Sequence, residues 1–241
     1  MRLSALLSGG KDSLHAALLL ESTGFTIEEA LTLVPQEEDA WLFHTPNLAW
    51  VALQAQAWRK PHRAVSVAGR GPEAELEGLR GALAPLRSRG LDGVTVGAIG
   101  SSYQWSRLQR VGEELGLEVF APLWRMDGAR AVREEIQSGL EIRIVQVASE
   151  PLEAELAGHT LDLPLLEEFE RRAKGPTPFH VAGEGGEYET FVTDAPAFRE
   201  RIEVEESRRE SRGASHRWAI TRAKLVPKPA PRGPAPGPSG P

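Results

Sequence analysis

Two adjacent glycines stand between an apolar run, residues 2–7, and a helical pattern over residues 12–22, in the stretch Ser8-Gly9-Gly10-Lys11-Asp12-Ser13. A strand that passes through a glycine turn straight into a helix is the first half of a β-α-β crossover. Such a unit commits a chain to a parallel sheet with helices on its faces. The alternation continues. Strand patterns at 27–34, 63–68, 93–99, 118–123 and 141–147 are separated by helical patterns at 47–59, 73–83, 103–115 and 127–138. Pro35 stops the second strand, and Pro85 ends or kinks the helix that reaches Leu83. The expected fold class is α/β, a doubly wound parallel sheet. With strand order 3-2-1-4-5, the crevice beyond strands 1 and 4 is the switch point where ligands bind.

Beyond about Ser149 the alternation loosens. A helical pattern at 165–173 is followed by a Gly-rich hairpin signal and two charged strands, 201–206 and 216–224. This reads as a smaller α+β C-terminal domain. The expected boundaries are 1–125 for a nucleotide-binding domain, 126–225 for the smaller domain, and 226–241 for a tail. That tail begins just before Pro227, holds seven of the 18 prolines and is expected to be disordered.

Composition narrows the function. The 28 basic residues are outnumbered by 34 acidic ones, for a net charge of −6, which argues against a duplex-binding face; no nucleic-acid partner is expected. No apolar run approaches the roughly 18 residues of a membrane span, so no membrane partner is expected. The N-terminus lacks a signal-peptide pattern, and the expected compartment is cytoplasmic. There is no cysteine. That removes disulfides, thiolate metal sites, thiol nucleophiles and cysteine-dependent glutamine hydrolysis. Any ammonia used must arrive ready-made, as ammonium from solution.

The first loop carries the strongest chemical signal. A helix N-terminus offers unpaired N–H groups and a positive dipole end, and Gly9 and Gly10 let backbone approach an anion closely. Ser8 and Ser13 add hydroxyls, Lys11 a charge that can stabilise departing pyrophosphate, and Asp12 a carboxylate for Mg²⁺. The plain alternative is a tight turn with a Ser or Asp cap. The Walker pattern is absent, because Ala5 stands where its first glycine belongs and Asp12 follows Lys11. Gly69-Arg70-Gly71-Pro72-Glu73-Ala74 formally matches a dinucleotide fingerprint. However, it follows the third strand, and Glu73 and Glu75 would repel a pyrophosphate there.

Three further clusters matter. Gly97, at the end of the fourth strand, would face the first loop across the switch point. Tyr103, Gln104 and Arg107 follow in a helix start, where a cation is unfavourable without an anionic ligand; a surface ion pair is the alternative for Arg107. Gly183-Glu184-Gly185-Gly186-Glu187-Tyr188-Glu189-Thr190 reads as a glycine turn and a strand. Alternation places Glu187 and Glu189 on one face and Tyr188 and Thr190 on the other. It is either a solvent-facing hairpin or a place for Mg²⁺ or an ammonium-like group. His44, before Asn47, is either part of a helix cap region or a ligand contact.

Ser-Gly-Gly-Lys-Asp-Ser resembles the pyrophosphate loop of the ATP pyrophosphatases. Together with Phe43-His44-Thr45-Pro46-Asn47, Gly97-Ala98-Ile99, Tyr103-Gln104, Arg107, Pro122-Leu123-Trp124 and the Gly183 to Thr190 stretch, it is similar, in order, to the diphthine–ammonia ligases over roughly residues 1–198. The departures are Ser102, Gly112 and Leu156-Ala157-Gly158-His159, where that family commonly has an acidic residue, a cysteine and Trp-Leu-Gly-Arg. The resemblance implies an adenine nucleotide alpha-hydrolase-like sheet and a smaller C-terminal domain. It also implies ATP-dependent amidation of the diphthine carboxylate on elongation factor 2, releasing AMP and pyrophosphate. Ser8, Gly9, Gly10, Lys11, Asp12, Ser13 and Gly97 would then bind ATP, with Lys11, Asp12 and Glu187 catalytic and Asp12 holding Mg²⁺. His44, Tyr103, Gln104, Arg107, Glu184, Glu187, Tyr188, Glu189 and Thr190 would form the acceptor site. A different acceptor, or a non-catalytic adenine-nucleotide-binding module, stays open, as does a homodimer.

Overall fold

The computed structural model describes residues 1–35, 47–67, 71–148 and 150–229 of the 241. Five parallel strands, β1 (Arg2–Leu6), β2 (Thr26–Pro35), β3 (His62–Val67), β4 (Gly93–Thr95) and β5 (Glu118–Phe120), form one sheet in the order β3-β2-β1-β4-β5. This is the order expected for a doubly wound sheet. Helices α1 (Lys11–Ser22) and α2 (Val51–Ala57) cover one face, where Leu14, Ala17, Val51 and Ala55 join Leu3, Ala5 and Ala30 in one core. On the other face lie α3 (Pro72–Leu83), the single turn α4 (Pro85–Ser88) and α5 (Ser102–Leu115). There Leu76, Leu79, Leu83, Leu86 and Val111 pack on Leu31, Leu33 and Val94.

Three details differ from the sequence pattern. β4 and β5 have only three residues each, because the chain leaves the sheet after Thr95 and Phe120; a single bond, Val96 N–H to the Phe120 carbonyl at 2.9 Å, continues the pairing. The helix expected over 47–59 begins as a 3₁₀ turn, Leu48–Trp50, before α2. The strand at 141–147 does not extend the parallel series. As β6 (Glu141–Val147) it pairs antiparallel with β7 (Tyr188–Asp194) and β9 (Ser215–Pro227), in a second sheet ordered β7-β6-β9-β8 with β8 (Glu200–Arg212) at the edge. Ile142, Ile144, Val145 and Val147 are buried. A strand buried on both faces reads the same whichever sheet receives it.

Helices α6 (Gly128–Gln137) and α7 (Leu163–Ala173) give Val132, Leu166 and Phe169 to the core that holds Ile142, Ile144 and Phe191 of the second sheet. Asp127 caps α6 by accepting the Arg130 N–H at 2.9 Å, and Asp162 caps α7 by accepting from Leu165 at 3.0 Å. The first core continues without a break from Leu3 and Leu14 through Val132, Ile144 and Phe169 to Phe191, so the two sheets share apolar packing. Asn47, at φ 60°, adds a polar clasp. Its amide donates to the Trp218 carbonyl at 3.1 Å and accepts from Ile220 N–H at 2.9 Å, while Trp50 Nε1 donates to the Ile220 carbonyl at 2.9 Å. Among the described residues, no helix is long and apolar enough to cross a membrane.

Candidate active site

The end of β1 feeds the glycine loop, and β4 leaves the sheet beside it. Between them opens a cleft on the switch-point side of the sheet. Ser8, Asp12, Ser13, Gly97 and Glu184 give it polar groups; Leu31, Leu33, Val96, Ala98 and Leu108 give it an apolar wall. Gly97 is constrained by close approach. A Cβ there would lie 2.4 Å from Ser13 N and 2.5 Å from the Asp12 carbonyl carbon, both backbone atoms that cannot swing aside. Within the loop, Ser13 Oγ accepts the Ser8 N–H at 3.2 Å and itself donates to the Gly10 carbonyl at 3.1 Å.

The second domain supports this loop from beneath. Val192 N–H of β7 donates to the Gly9 carbonyl at 3.0 Å, and Thr190 Oγ accepts the Lys11 N–H at 3.2 Å. Lys11 was expected to face the phosphates, but its side chain is only 2% exposed. Its ammonium donates to both Asp12 oxygens at 2.8 Å and to the Ala182 carbonyl at 2.9 Å, and lies 5.9 Å from the Tyr188 ring centroid. Burial pulls its pKa down, but Asp12, Glu135 and Tyr188 outweigh burial and hold it above the ordinary lysine range. The residue therefore points into the joint between the domains, because the ion pair and carbonyl there satisfy all three of its protons.

The Gly183 to Thr190 segment lies against the loop and is not a solvent-facing hairpin. Glu184 reaches the cleft and accepts the Gly100 N–H at 3.0 Å. Glu187 was expected to hold a cationic group. Its carboxylate instead accepts the N–H groups of His180 at 2.8 Å and Gly185 at 2.9 Å, which spends it on the turn's own backbone. Tyr188 is buried and its hydroxyl donates to the Val181 carbonyl at 2.7 Å, while burial raises its pKa above the ordinary tyrosine range. Thr190 is buried beneath Lys11, and Glu189 is half-buried in β7 opposite Gln146. Tyr103, Gln104 and Arg107 stand in α5, whose Leu108 lines the cleft. His44 lies outside the described residues, as do Gly69 and Arg70 of the second glycine motif and residues 230–241 of the tail.

Two polar residues on buried helix faces escaped the sequence reading. Glu135 of α6 is fully buried, 3.9 Å from the Lys11 ammonium, and neither of its oxygens accepts from any N–H or O–H donor. Burial pushes its carboxyl well above the usual range, and the neighbouring Asp12 charge pushes the same way against Lys11. Gln54 of α2 is also fully buried, donating to the Gly9 carbonyl at 2.9 Å and the Val192 carbonyl at 2.8 Å. The available signal was helical spacing: Glu135 falls four residues after Ala131, and Gln54 three after Val51, each on the apolar stripe.

A glycine loop at the switch point of a doubly wound sheet, closed from below by a second antiparallel domain, defines a two-domain α/β protein with a composite cleft. Residues 1–119 match the diphthamide synthase N-terminal domain, and residues 128–226 match the diphthamide synthase C-terminal domain. The chain belongs to the diphthamide synthase family. It is 32% identical over 228 residues to a diphthine–ammonia ligase of Homo sapiens, covering 86% of this chain and 84% of that one. A Danio rerio protein of the same name is 34% identical, with coverage of 85% and 87%. A Schizosaccharomyces pombe protein, also so named, is 29% identical; the match covers 84% of this chain and 36% of that longer one.

Proposed function

We infer that this protein is an AMP-forming, ATP-dependent amide ligase acting on a diphthine-like carboxylate. The observation that carries the reading is the cleft in which a helix-start glycine loop and an apolar wall face one another. Adenine suits the wall of Leu31, Leu33, Val96 and Leu108, and the triphosphate suits Ser8, Ser13 and the amides at the start of α1. Relatives named diphthine–ammonia ligase supply the acceptor class and the nitrogen source.

Among the described residues, no group of three acidic or histidine side chains is arranged to hold a metal. Mg²⁺ with a nucleotide ordinarily takes only one or two carboxylates together with phosphate oxygens. Asp12 and Glu184, the two acids of the cleft, fit that demand. Bound there, Mg²⁺ would neutralise phosphate charge.

The chemistry is a double displacement. A carboxylate oxygen of the acceptor bonds to the α-phosphorus as the bond to the bridging oxygen breaks, and pyrophosphate leaves. Ammonia nitrogen then bonds to the acyl carbon, AMP leaves with the former carboxylate oxygen, and the nitrogen loses a proton. Loop hydroxyls and amides stabilise the leaving pyrophosphate. Lys11 acts from beneath, holding Asp12 and the Ala182 segment in place. Glu184 is the acid that can meet an ammonium or a cationic acceptor group, whereas Glu187 shapes the turn that presents it.

The buried Lys11 ammonium specifically favours a second reading, a nucleotide-binding module without turnover. Incubation with α-labelled ATP, ammonium and elongation factor 2 carrying diphthine separates the two. The ligase reading expects labelled AMP and one amide per AMP. ADP as product, or no pyrophosphate with any acceptor, would reject it.

A further inference from the structure

We propose that Gln54 is a positioning residue that sets which way the Gly9–Gly10 peptide faces, and so gives the loop a donor rather than an acceptor for phosphate. The inference rests on the proposed use of the loop.

The geometry is unusual for a helix interior. Gln54 is fully buried, and its amide forks between the Gly9 carbonyl at 2.9 Å and the Val192 carbonyl at 2.8 Å. Its own Oε1 is buried without a partner. Burying a carboxamide with one end unsatisfied costs free energy that a leucine or methionine at this place would not incur. Stability alone does not account for it.

What the fork fixes is a direction. The Gly9 carbonyl has two acceptor sites, and Val192 N–H at 3.0 Å takes one while Gln54 takes the other. A trans peptide is planar, with its C=O and N–H pointing opposite ways. With the carbonyl turned down toward α2 and β7, the Gly10 N–H is turned up toward the loop's hollow, where it donates a long bond to Ser8 Oγ of the cleft at 3.4 Å. Gly9 sits at φ +89°, a conformation open mainly to glycine, so its freedom leaves the direction of the peptide to the bonds that hold its carbonyl. Turned over, the same peptide would aim a carbonyl at a phosphate.

The test uses the full chain and its Gln54→Met variant, which keeps the length and loses both N–H groups. Calorimetric titrations with pyrophosphate, ATP and adenosine are compared. Pyrophosphate and ATP should bind about tenfold more weakly to the variant, equivalent to about 1.4 kcal/mol, with adenosine changed by less than about twofold. Equal pyrophosphate affinity, or an equal loss for adenosine, overturns the proposal. Should the variant not fold, ¹⁵N spectra of the unaltered protein decide: the Gly10 amide must shift with pyrophosphate and stay put with adenosine, and an unmoved Gly10 signal overturns it. The two readings fail separately. Pyrophosphate binding with a Gly10 shift but no AMP formation rejects the ligase and keeps the role of Gln54. AMP formation with an unimpaired Gln54→Met does the reverse.

Discussion

Two glycine-rich segments meet at the cleft, and they direct their polar groups oppositely. Ser8 to Ser13 turns its serine hydroxyls and Asp12 toward the opening. Gly183 to Thr190 sends only Glu184 there. Glu187, Tyr188 and Thr190 bond to His180, Gly185, Val181 and Lys11 in the interior. The first segment starts a helix, whose opening N–H groups have no partner within the helix; Thr190 Oγ takes that of Lys11 from outside it. The second is a turn before a strand, whose N–H groups must be satisfied by its own side chains once the segment is covered. Acid-rich composition therefore does not reveal which of the two touches substrate.

The largest test of this contrast is Asp12→Asn. It removes the ionised partner of a fully buried ammonium, and breaking such a pair costs about 3–5 kcal/mol. Asp12 is 23% exposed, which places the expected loss near the lower end, about 3 kcal/mol by urea denaturation. Pyrophosphate release should fall by about a hundredfold or more. A stability loss below about 1 kcal/mol would show that Glu135 already neutralises Lys11.

Glu187→Ala should behave differently. Two charge-assisted bonds to backbone disappear, for about 2 kcal/mol of stability, while ATP affinity stays within about twofold. If ATP affinity collapses instead, the second segment contacts the nucleotide and the contrast is wrong.

Glu135→Gln sharpens the comparison through pH, with the smallest effect at low pH. The folded protein holds the Glu135 proton well above the ordinary carboxyl value of 4.5. The unfolded chain releases it near 4.5, so this group's contribution is complete below 4.5 and is lost as pH rises toward the raised folded value. Glutamine does not titrate. The variant should be near wild type at pH 4.5 and gain relative stability as pH rises above it, measured from pH 4.5 to 8 without nucleotide. A difference constant across that range would mean that Glu135 is ionised in the fold.

Much of the frame was legible before any coordinates. The 2–7, 27–34 and 63–68 runs became β1, β2 and β3 within a residue or two, and the 3-2-1-4-5 order of a doubly wound sheet is the one observed. The site was legible only in part. Ser8, Ser13, Asp12 and Gly97 share the cleft, but the side of α1 that Lys11 takes depends on what packs there, and that is Ala182, Tyr188 and Glu135 from the other domain. Glu135 and Gln54 went unread because a polar residue on an apolar stripe looks like an interruption until its neighbours are known.

By itself the sequence determined the alternation of strands and helices, the glycine loop at the first helix start, and the absence of any thiol chemistry. These are local facts, set by hydrophobic periodicity, by the freedom of Gly9 and Gly10, and by composition. Tertiary structure alone decided that β6 leaves the parallel series, that Lys11 is buried between the domains, and that β7 and Gln54 hold the Gly9 carbonyl. Each of these depends on groups more than 40 residues apart in sequence being within hydrogen-bonding or ion-pair distance. No local pattern encodes such pairings, because the burial energy that forms them is non-directional and only the completed packing assigns each donor its acceptor.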